Sequence, residues 1–438
     1  MNNTGQAHPS APFADVPFDD ILKCIHCGLC MESCPTYREL RTEQDSPRGR
    51  LYLMRGLWEG ELEPDREVLE PLSRCIDCRA CQTACPASVP YGQLLGKTRS
   101  VLLEHNPPNL WKRALRQLFF KHLLTRKSAL LFFARLIWLY GKTGLPSLVT
   151  APRWAGLVPA PLARLHRLLP AFSFFPFTHR PSSRTAPPVR DRVGLFSGCI
   201  MNVAETRIHR DSVRLLEAAG FEVVVPREQT CCGALHSHGG ETRMARELAQ
   251  KNERVFAGAR VDHIVVNAAG CGAQLKEYTQ WAPDDDPEGR EPWSRFSAKV
   301  VDILDFLNAQ PAFRPAWRNH NETVFFDAPC HLIHAQKIHQ GPIRLLKTMP
   351  GVNLILLDDA DSCCGAGGIF NLVHGHLAEA VLDRKLDHLE RSLSRNPEAT
   401  TLVTANPGCL FQLRHGVRKR RLPLRVIHPV ELLAERLP

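Results

Sequence analysis

Phe221-Glu222-Val223-Val224-Val225, a short apolar run leading to Cys231-Cys232-Gly233, returns later in the chain as Val352-Asn353-Leu354-Ile355-Leu356-Leu357 leading to Cys363-Cys364-Gly365. Outward from each pair, the same order of elements appears twice. In the first copy Val193-Gly194-Leu195-Phe196 ends at Cys199, and a helix through Val213-Arg214-Leu215-Leu216 follows. Beyond the pair, His263-Ile264-Val265-Val266-Asn267 delivers Gly270-Cys271-Gly272, and Val300 to Leu307 closes the copy. In the second copy Val324-Phe325-Phe326-Asp327 leads to Cys330, Leu402-Val403-Thr404-Ala405-Asn406 to Gly408-Cys409, and Val426 to Leu433 closes. The intervals agree: 32 and 33 residues from the lone cysteine to the pair, then 39 and 45 to the last cysteine. Short strands alternating with helices of this length predict parallel sheets covered on both faces. Sites in such sheets form at the carboxyl ends of strands, where all eight cysteines fall. The expected fold is α/β, as two similar halves facing each other over residues 191–310 and 311–438.

The amino-terminal part reads differently. Cys24-Ile25-His26-Cys27-Gly28-Leu29-Cys30-Met31-Glu32-Ser33-Cys34-Pro35 is C-x2-C-x2-C-x3-C-P, and the string recurs as Cys75, Cys78, Cys81, Cys85 and Pro86. This spacing binds [4Fe-4S] clusters: three thiolates on a tight turn hold three corners of a cube, and the fourth cysteine serves the other cluster. Cys24, Cys27, Cys30 and Cys85 are expected to hold one cluster, and Cys75, Cys78, Cys81 and Cys34 the other. Two structural zinc sites would leave the third and fourth cysteines of each string without a task. The long insert between the strings predicts a helix over Leu51 to Trp58, with Ser46 as N-cap and Pro47 at its first position. With that insert, residues 15–100 resemble the helical two-cluster domain of fumarate reductase and heterodisulfide reductase subunits more than a small β-sheet ferredoxin, and His26 is expected to be a solvent-facing spacer in the first loop rather than a hydrogen-bonding partner of the cluster.

The chain has 438 residues, 44% apolar and 23% charged, which excludes wholesale disorder and suits two to four domains of about 100–200 residues. Its net charge of +10 is concentrated in one place. Between Glu104 and Asp191 no acidic residue occurs against fourteen Lys and Arg, which leaves −4 for the rest of the chain. This stretch, taken as a helical linker over residues 101–190, interleaves its cations with apolar blocks such as Leu130 to Phe133, Leu136 to Tyr140 and Phe172 to Phe177, and ends in the Pro-rich hinge Pro181 to Pro188. Two readings compete: a helix lying on an anionic inner-membrane surface, or buried and partner-docking helices. No nucleic-acid-binding signature accompanies the charge, and no apolar run reaches the roughly 20 residues that cross a bilayer. Met1 to Ala14 lacks the features of a secretory signal. The expected location is the cytoplasm, where sixteen thiols stay reduced and can hold metal.

Four thiolates at strand ends in each half, with a glycine that lets the backbone approach a bulky group, point to a further iron–sulfur centre. Its candidate ligands are Cys199, Cys231, Cys232 and Cys271, and Cys330, Cys363, Cys364 and Cys409. Packing of some of these as buried free cysteines is the alternative. The two Cys-Cys-Gly copies resemble the cysteine-rich domain of the heterodisulfide reductase family. Joined to the double ferredoxin string, the chain from Phe18 onward resembles the iron–sulfur subunits of glycolate oxidase, and of D-lactate and anaerobic glycerol-3-phosphate dehydrogenases. The fuller motif of that domain ends in C-x-x-C; here Gly272-Ala273-Gln274 and Leu410-Phe411-Gln412 follow the last cysteines. The missing thiolate favours electron transfer over disulfide chemistry.

The resemblance implies a chain that carries electrons from FAD-binding oxidase subunits, oxidising glycolate to glyoxylate, to a membrane quinone or another acceptor. No catalytic triad, HExxH or dinucleotide fingerprint is legible, so no catalytic residue is expected in this chain. Gly365-Ala366-Gly367-Gly368 lacks the Lys-Ser/Thr of a phosphate loop and reads as a tight turn. His236, His238, His331 and His334, beside the cysteines, read as ordinary polar positions ahead of quinone or metal ligands. A thiol–disulfide enzyme and a redox sensor are the readings from other classes.

Overall fold

The computed structural model describes residues 11–13, 16–143, 166, 169–179, 191–282 and 287–438. The hinge Pro181 to Pro188 and most of Met1 to Ala14 lie outside them, as do the linker cations from Arg153 to Arg190.

The amino-terminal domain is helical. Helices α1 (Phe18–Leu22), α2 (Pro35–Leu40), α3 (Pro47–Glu59), α4 (Arg66–Ser73) and α5 (Tyr91–His105) surround the two cysteine strings. The expected start of α3 is found: Ser46 Oγ accepts from Gly49 N at 2.9 Å, and Pro47 follows it. Leu51, Met54, Leu57, Leu72, Leu94, Leu95 and Leu102 form this domain's own core. Leu102 belongs to that core, so α5 runs through the boundary expected at residue 100.

Two four-stranded sheets follow, both wholly parallel. The first has order β2-β1-β3-β4, from β1 (Arg192–Phe196), β2 (Glu222–Val224), β3 (His263–Val266) and β4 (Val300–Asp302). The second has order β6-β5-β7-β8, from β5 (Glu322–Asp327), β6 (Val352–Leu356), β7 (Ala399–Thr404) and β8 (Arg425–Ile427). The two orders are the same, and so is the register around the sites: Phe196 pairs with Val266, and Asp327 with Thr404. The apolar residues of both sheets belong to one continuous core, with Val193, Leu195, Val265, Phe325, Leu402 and Val403 fully buried. The halves are also stitched at their strand ends, where Ala269 N donates to Ala405 O at 3.1 Å and Gly270 N to Asn406 Oδ1 at 3.0 Å.

The described part of the linker lies on the first half. Phe120 is buried, and Arg116 reaches Glu241 at 2.8 Å. Leu130 and Ala134 of helix α6 (Lys127–Lys142) pack on Val203. Trp111, Phe132, Phe133, Leu136 and Leu139 remain exposed. Among the described residues no helix is long and apolar enough to cross a membrane.

Candidate metal centres

The turn geometry of the two strings is the same. Left-handed residues occur two and four places after the first cysteine of each: His26 (φ 55°) and Gly28 (φ 82°), Asp77 (φ 60°) and Arg79 (φ 64°). This winding places three cysteines of each string around one hollow and sends the fourth to the other. Cys24, Cys27, Cys30 and Cys85 line the first hollow, and Cys75, Cys78, Cys81 and Cys34 the second. Cys81, Pro47 and Tyr91 border both and form the wall between them. Among the described residues no three Cys, His, Asp or Glu converge closely enough for one metal ion. Thiols standing around a hollow instead fit a bulky inorganic group better than a zinc ion at its short bond lengths.

The hollows differ in depth. Around the first, Cys27 and His26 are exposed, so His26 is the solvent-facing spacer expected of it; its carbonyl accepts from Arg48 Nη1 at 2.9 Å. Burial lifts the Cys30 thiol to about 11. The second hollow rests on Arg50, a fully buried side chain from the insert. Arg50 donates to Pro71 O (2.7 Å), Thr36 Oγ1 (3.0 Å) and Asp45 Oδ1 (3.1 Å), and approaches Cys34 Sγ at 3.8 Å. Burial raises the Cys75 thiol, and Arg50 and Arg99 oppose that rise. A buried guanidinium beside thiolates offsets the charge they carry when metal is bound.

The second loop is driven into the rest of the molecule. Ile76, Cys78 and Ala80 form one buried cluster with Cys330, Cys363, Phe370, Ala378 and Val381 of the second half. The buried Asp77 accepts from His238 Nδ1 of the first half at 2.7 Å, and its carbonyl accepts from His331 Nε2 of the second at 3.1 Å. Burial would raise the Asp77 carboxyl, but Arg79 and His238 hold it well below the usual range. Arg79 also pairs with Glu277, and Thr83 meets His334 Nδ1 at 2.9 Å. The four histidines are therefore joints: His236 meets Phe120 O, and the other three clamp the second loop. Gly367 and Gly368, in the turn after Cys364, leave the room this needs; a Cβ on Gly367 would stand 2.7 Å from Ile76.

In the two halves the cysteines gather at the strand ends as expected, with Cys271 in the first turn of α8 (Ala269–Lys276) and Cys409 in that of α10 (Pro407–Arg420). In the first half Cys199 Sγ lies 3.4 Å from Cys231 Sγ, and Cys232 Sγ 3.3 Å from Cys271 Sγ. In the second, Cys330, Cys363, Cys364 and Cys409 are all buried. Gly233 (φ +88°) and Gly365 (φ +85°) let each loop close on a helix, where a Cβ would meet Ala245 and Ala378 respectively. These helices are α7 (Thr242–Ala259) and α9 (Gly375–Arg395). Seven residues beyond each alanine stand Asn252 and Lys385.

Asn252 accepts from Thr230 N (2.8 Å) and donates to Cys231 O (2.9 Å) and Tyr278 Oη (3.0 Å), whose hydroxyl donates to Cys232 O. Lys385 Nζ donates to the carbonyls of Asp359 (2.8 Å), Ala360 (2.9 Å) and Ser362 (3.2 Å), and sits 2.7 Å from Asp327 Oδ1. Burial pulls the Lys385 ammonium down, but Asp327 more than restores it. Thr404 donates to the other Asp327 oxygen at 2.7 Å, which ties the three segments bearing Cys330, Cys363 and Cys409.

The sequence reading missed Arg50, Asp77 and the Lys385–Asp327 pair. One signal was present: Lys385 falls on the apolar stripe of its helix, with Val381, Leu382 and Leu389, where a cation needs a buried partner.

Family comparisons agree with this architecture. A 4Fe-4S dicluster domain matches residues 20–89, a cysteine-rich domain matches 193–276 and again 324–414, and the linker region of the glycolate oxidase iron-sulfur subunit matches 111–169. The probable glycolate oxidase iron-sulfur subunit of Bacillus subtilis is 36% identical over 95% of this chain and 94% of its own length. The glycolate oxidase iron-sulfur subunit of Escherichia coli is 31% identical over 96% and 95%. Lactate utilization protein A of Geobacillus kaustophilus is 31% identical over 56% of this chain and 99% of its own. The chain belongs to the family of glycolate oxidase iron-sulfur subunits.

Proposed function

We propose that this chain is the electron-carrying subunit of a complex in which FAD-binding subunits oxidise glycolate to glyoxylate and a membrane quinone or another acceptor is reduced. The observation that carries the reading is the buried cluster that Cys78 shares with Cys330 and Cys363, which joins the two-hollow domain to the second cysteine-rich half. Cys24, Cys27, Cys30 and Cys85 hold one centre, and Cys75, Cys78, Cys81 and Cys34 the second. A [4Fe-4S] group, when bound, accepts and releases one electron at a time. The residues of this chain separate the two groups, exclude water from the inner one and place Arg50 beside it. The eight cysteines of the two halves are the donors of a further centre, and the four of the second half lie next on the route. Glycolate is preferred because the full-length relatives carry that name; the lactate utilization relatives favour lactate as the second reading. Substrate choice rests with another polypeptide.

Cys78→Ser tests the division of labour in the assembled complex. Substrate should still bleach the flavin, while acceptor reduction falls at least tenfold. Loss of flavin bleaching in the variant would refute the scheme. Anaerobically isolated native chain should hold at least about eight irons, four for each dicluster site.

A further inference from the structure

The two cysteine strings are alike in sequence and winding, but the charges at their hollows differ. The first turn of α3 sends a cation to each: Arg48 borders the outer hollow and Arg50 the inner one, with Pro47 shared between them. Arg48 is 29% exposed and is paired with a carboxylate of its own, Glu43, itself 54% exposed and held at 2.7 and 3.2 Å. Water and Glu43 thus screen it from the cysteines. Arg50 is 0% exposed. Its carboxylate is divided: Asp45 Oδ1 accepts from Arg50 at 3.1 Å, while Oδ2 accepts from Arg74 at 3.1 Å and from Thr42 at 2.8 Å. Arg79 is the other charged residue at the inner wall, and its partners Asp77 and Glu277 stand behind it, as Asp45 stands behind Arg50. Among the described residues no carboxylate borders this hollow.

Adding an electron to a site already ringed by four thiolates costs more when the site is buried, because water no longer screens the new charge. The inner loop is a plug in the second cysteine-rich half, whereas Cys27 beside the outer hollow is exposed. Burial alone would therefore make the inner site the worse electron acceptor. We propose that Arg50 reverses this order: its buried guanidinium raises the reduction potential of the group in the inner hollow above that of the outer one, so that an electron shared by the two rests beside Cys34 and Cys78. This rests on the electron-carrying reading above and adds which residue sets the direction between the two sites. Each passage moves one electron, oxidising the outer group and reducing the inner; no bond of the chain forms or breaks and no proton moves. Arg50 is a positioning residue, acting through its charge and its approach to Cys34 Sγ at 3.8 Å. Pro71 O and Thr36 Oγ1 hold its fork in place, and a guanidinium keeps its proton even when buried.

The test is a mediated redox titration of the full chain, isolated anaerobically and followed by paramagnetic resonance. Cys27→Ser, at the exposed ligand, alters or removes the outer signal and so tells the two apart. In the native chain the inner group should be reduced first. In Arg50→Met the ratio of reduced to oxidised inner group at a fixed poise should fall at least tenfold, about 59 mV for a one-electron couple. Arg50→Lys should show a smaller fall. Asp45→Asn should raise the ratio at least threefold, since it removes the negative charge that offsets Arg50; a merely structural role would move both positions the same way. Arg48→Met should leave the inner ratio within twofold of native. If Arg50→Met sheds its inner iron, Arg50→Lys and Asp45→Asn decide. An unmoved ratio with iron retained would overturn the proposal, as would a native outer group that is reduced first or a fall in Asp45→Asn. Loss of the inner iron from all three variants would also overturn it. In the complex with flavin-bearing subunits, the expected shifts without substrate-driven reduction of either group would refute the electron-carrying reading and leave the role of Arg50 standing. Substrate-driven reduction with unmoved ratios would refute the role of Arg50 alone.

Discussion

Where the first half sets Asn252 beneath its cysteine pair, the second sets Lys385; where the first ends its leading strand in Phe196, the second ends it in Asp327. The duplicated topology thus holds its loops by two kinds of chemistry. Asn252 uses both ends of its amide, and Tyr278 extends that reach to Cys232 O. Lys385 offers only donors, so it takes backbone carbonyls and needs a carboxylate to balance its charge. An amide network is insensitive to the charge placed above it. A buried ion pair is not, and it holds its geometry only while both members are present. The second half, which touches the inner cluster loop, is the half with the ion pair.

Lys385→Met should produce the largest effect, leaving Asp327 buried without its counter-charge at a cost of about 3–5 kcal/mol. Hydrogen exchange of the second-half amides should rise accordingly, with the first half unaffected. Restoring neutrality with Asp327→Leu in the same chain should recover most of the loss; a double variant as labile as the single would break the comparison. Asn252→Ala should cost less, about 1–3 kcal/mol, because it strands neutral groups on Thr230, Cys231 and Tyr278, and its exchange signature should fall in the first half.

The smallest effect concerns acid. Glu379, next to Ala378, is held at about 2 by the bond from His415 and, after it, by Lys419 at 2.5 Å; its counterpart in the first half is Arg246. A carboxylate whose folded value lies below its ordinary 4.5 contributes stability above that pH and loses it as pH falls toward 2. Glu379→Gln should therefore lower thermal stability near neutrality by under about 1 kcal/mol, given partial exposure, with the difference shrinking through that window. An unchanged difference at pH 2 would contradict the assignment.

Particular elements explain what the sequence disclosed. The cysteine strings were legible because the cluster motif is written in local spacing, and the crossed placement of Cys34 and Cys85 around the two hollows follows from turn geometry. The repeat was legible because strand, helix and cysteine recur at matched intervals. The plug was not: Asp77 and His238 lie 161 residues apart, and neither position carries a periodic or compositional mark. The histidines read in the sequence only as polar positions; the bonds by which His238, His331 and His334 clamp a loop from another domain are a property of tertiary placement. The linker stood between two readings. Its described part shares features of both, with Phe120, Leu130 and Ala134 buried on the first half and Trp111 and Phe132 exposed.

Since Ile76, Cys78 and Ala80 share a buried cluster with Phe370, Ala378 and Val381, the inner loop is shielded on the side that faces the second half. Loosening of the second half should therefore bare Cys78 to alkylating reagents while leaving the outer loop, with Cys27 already exposed, as reactive as before.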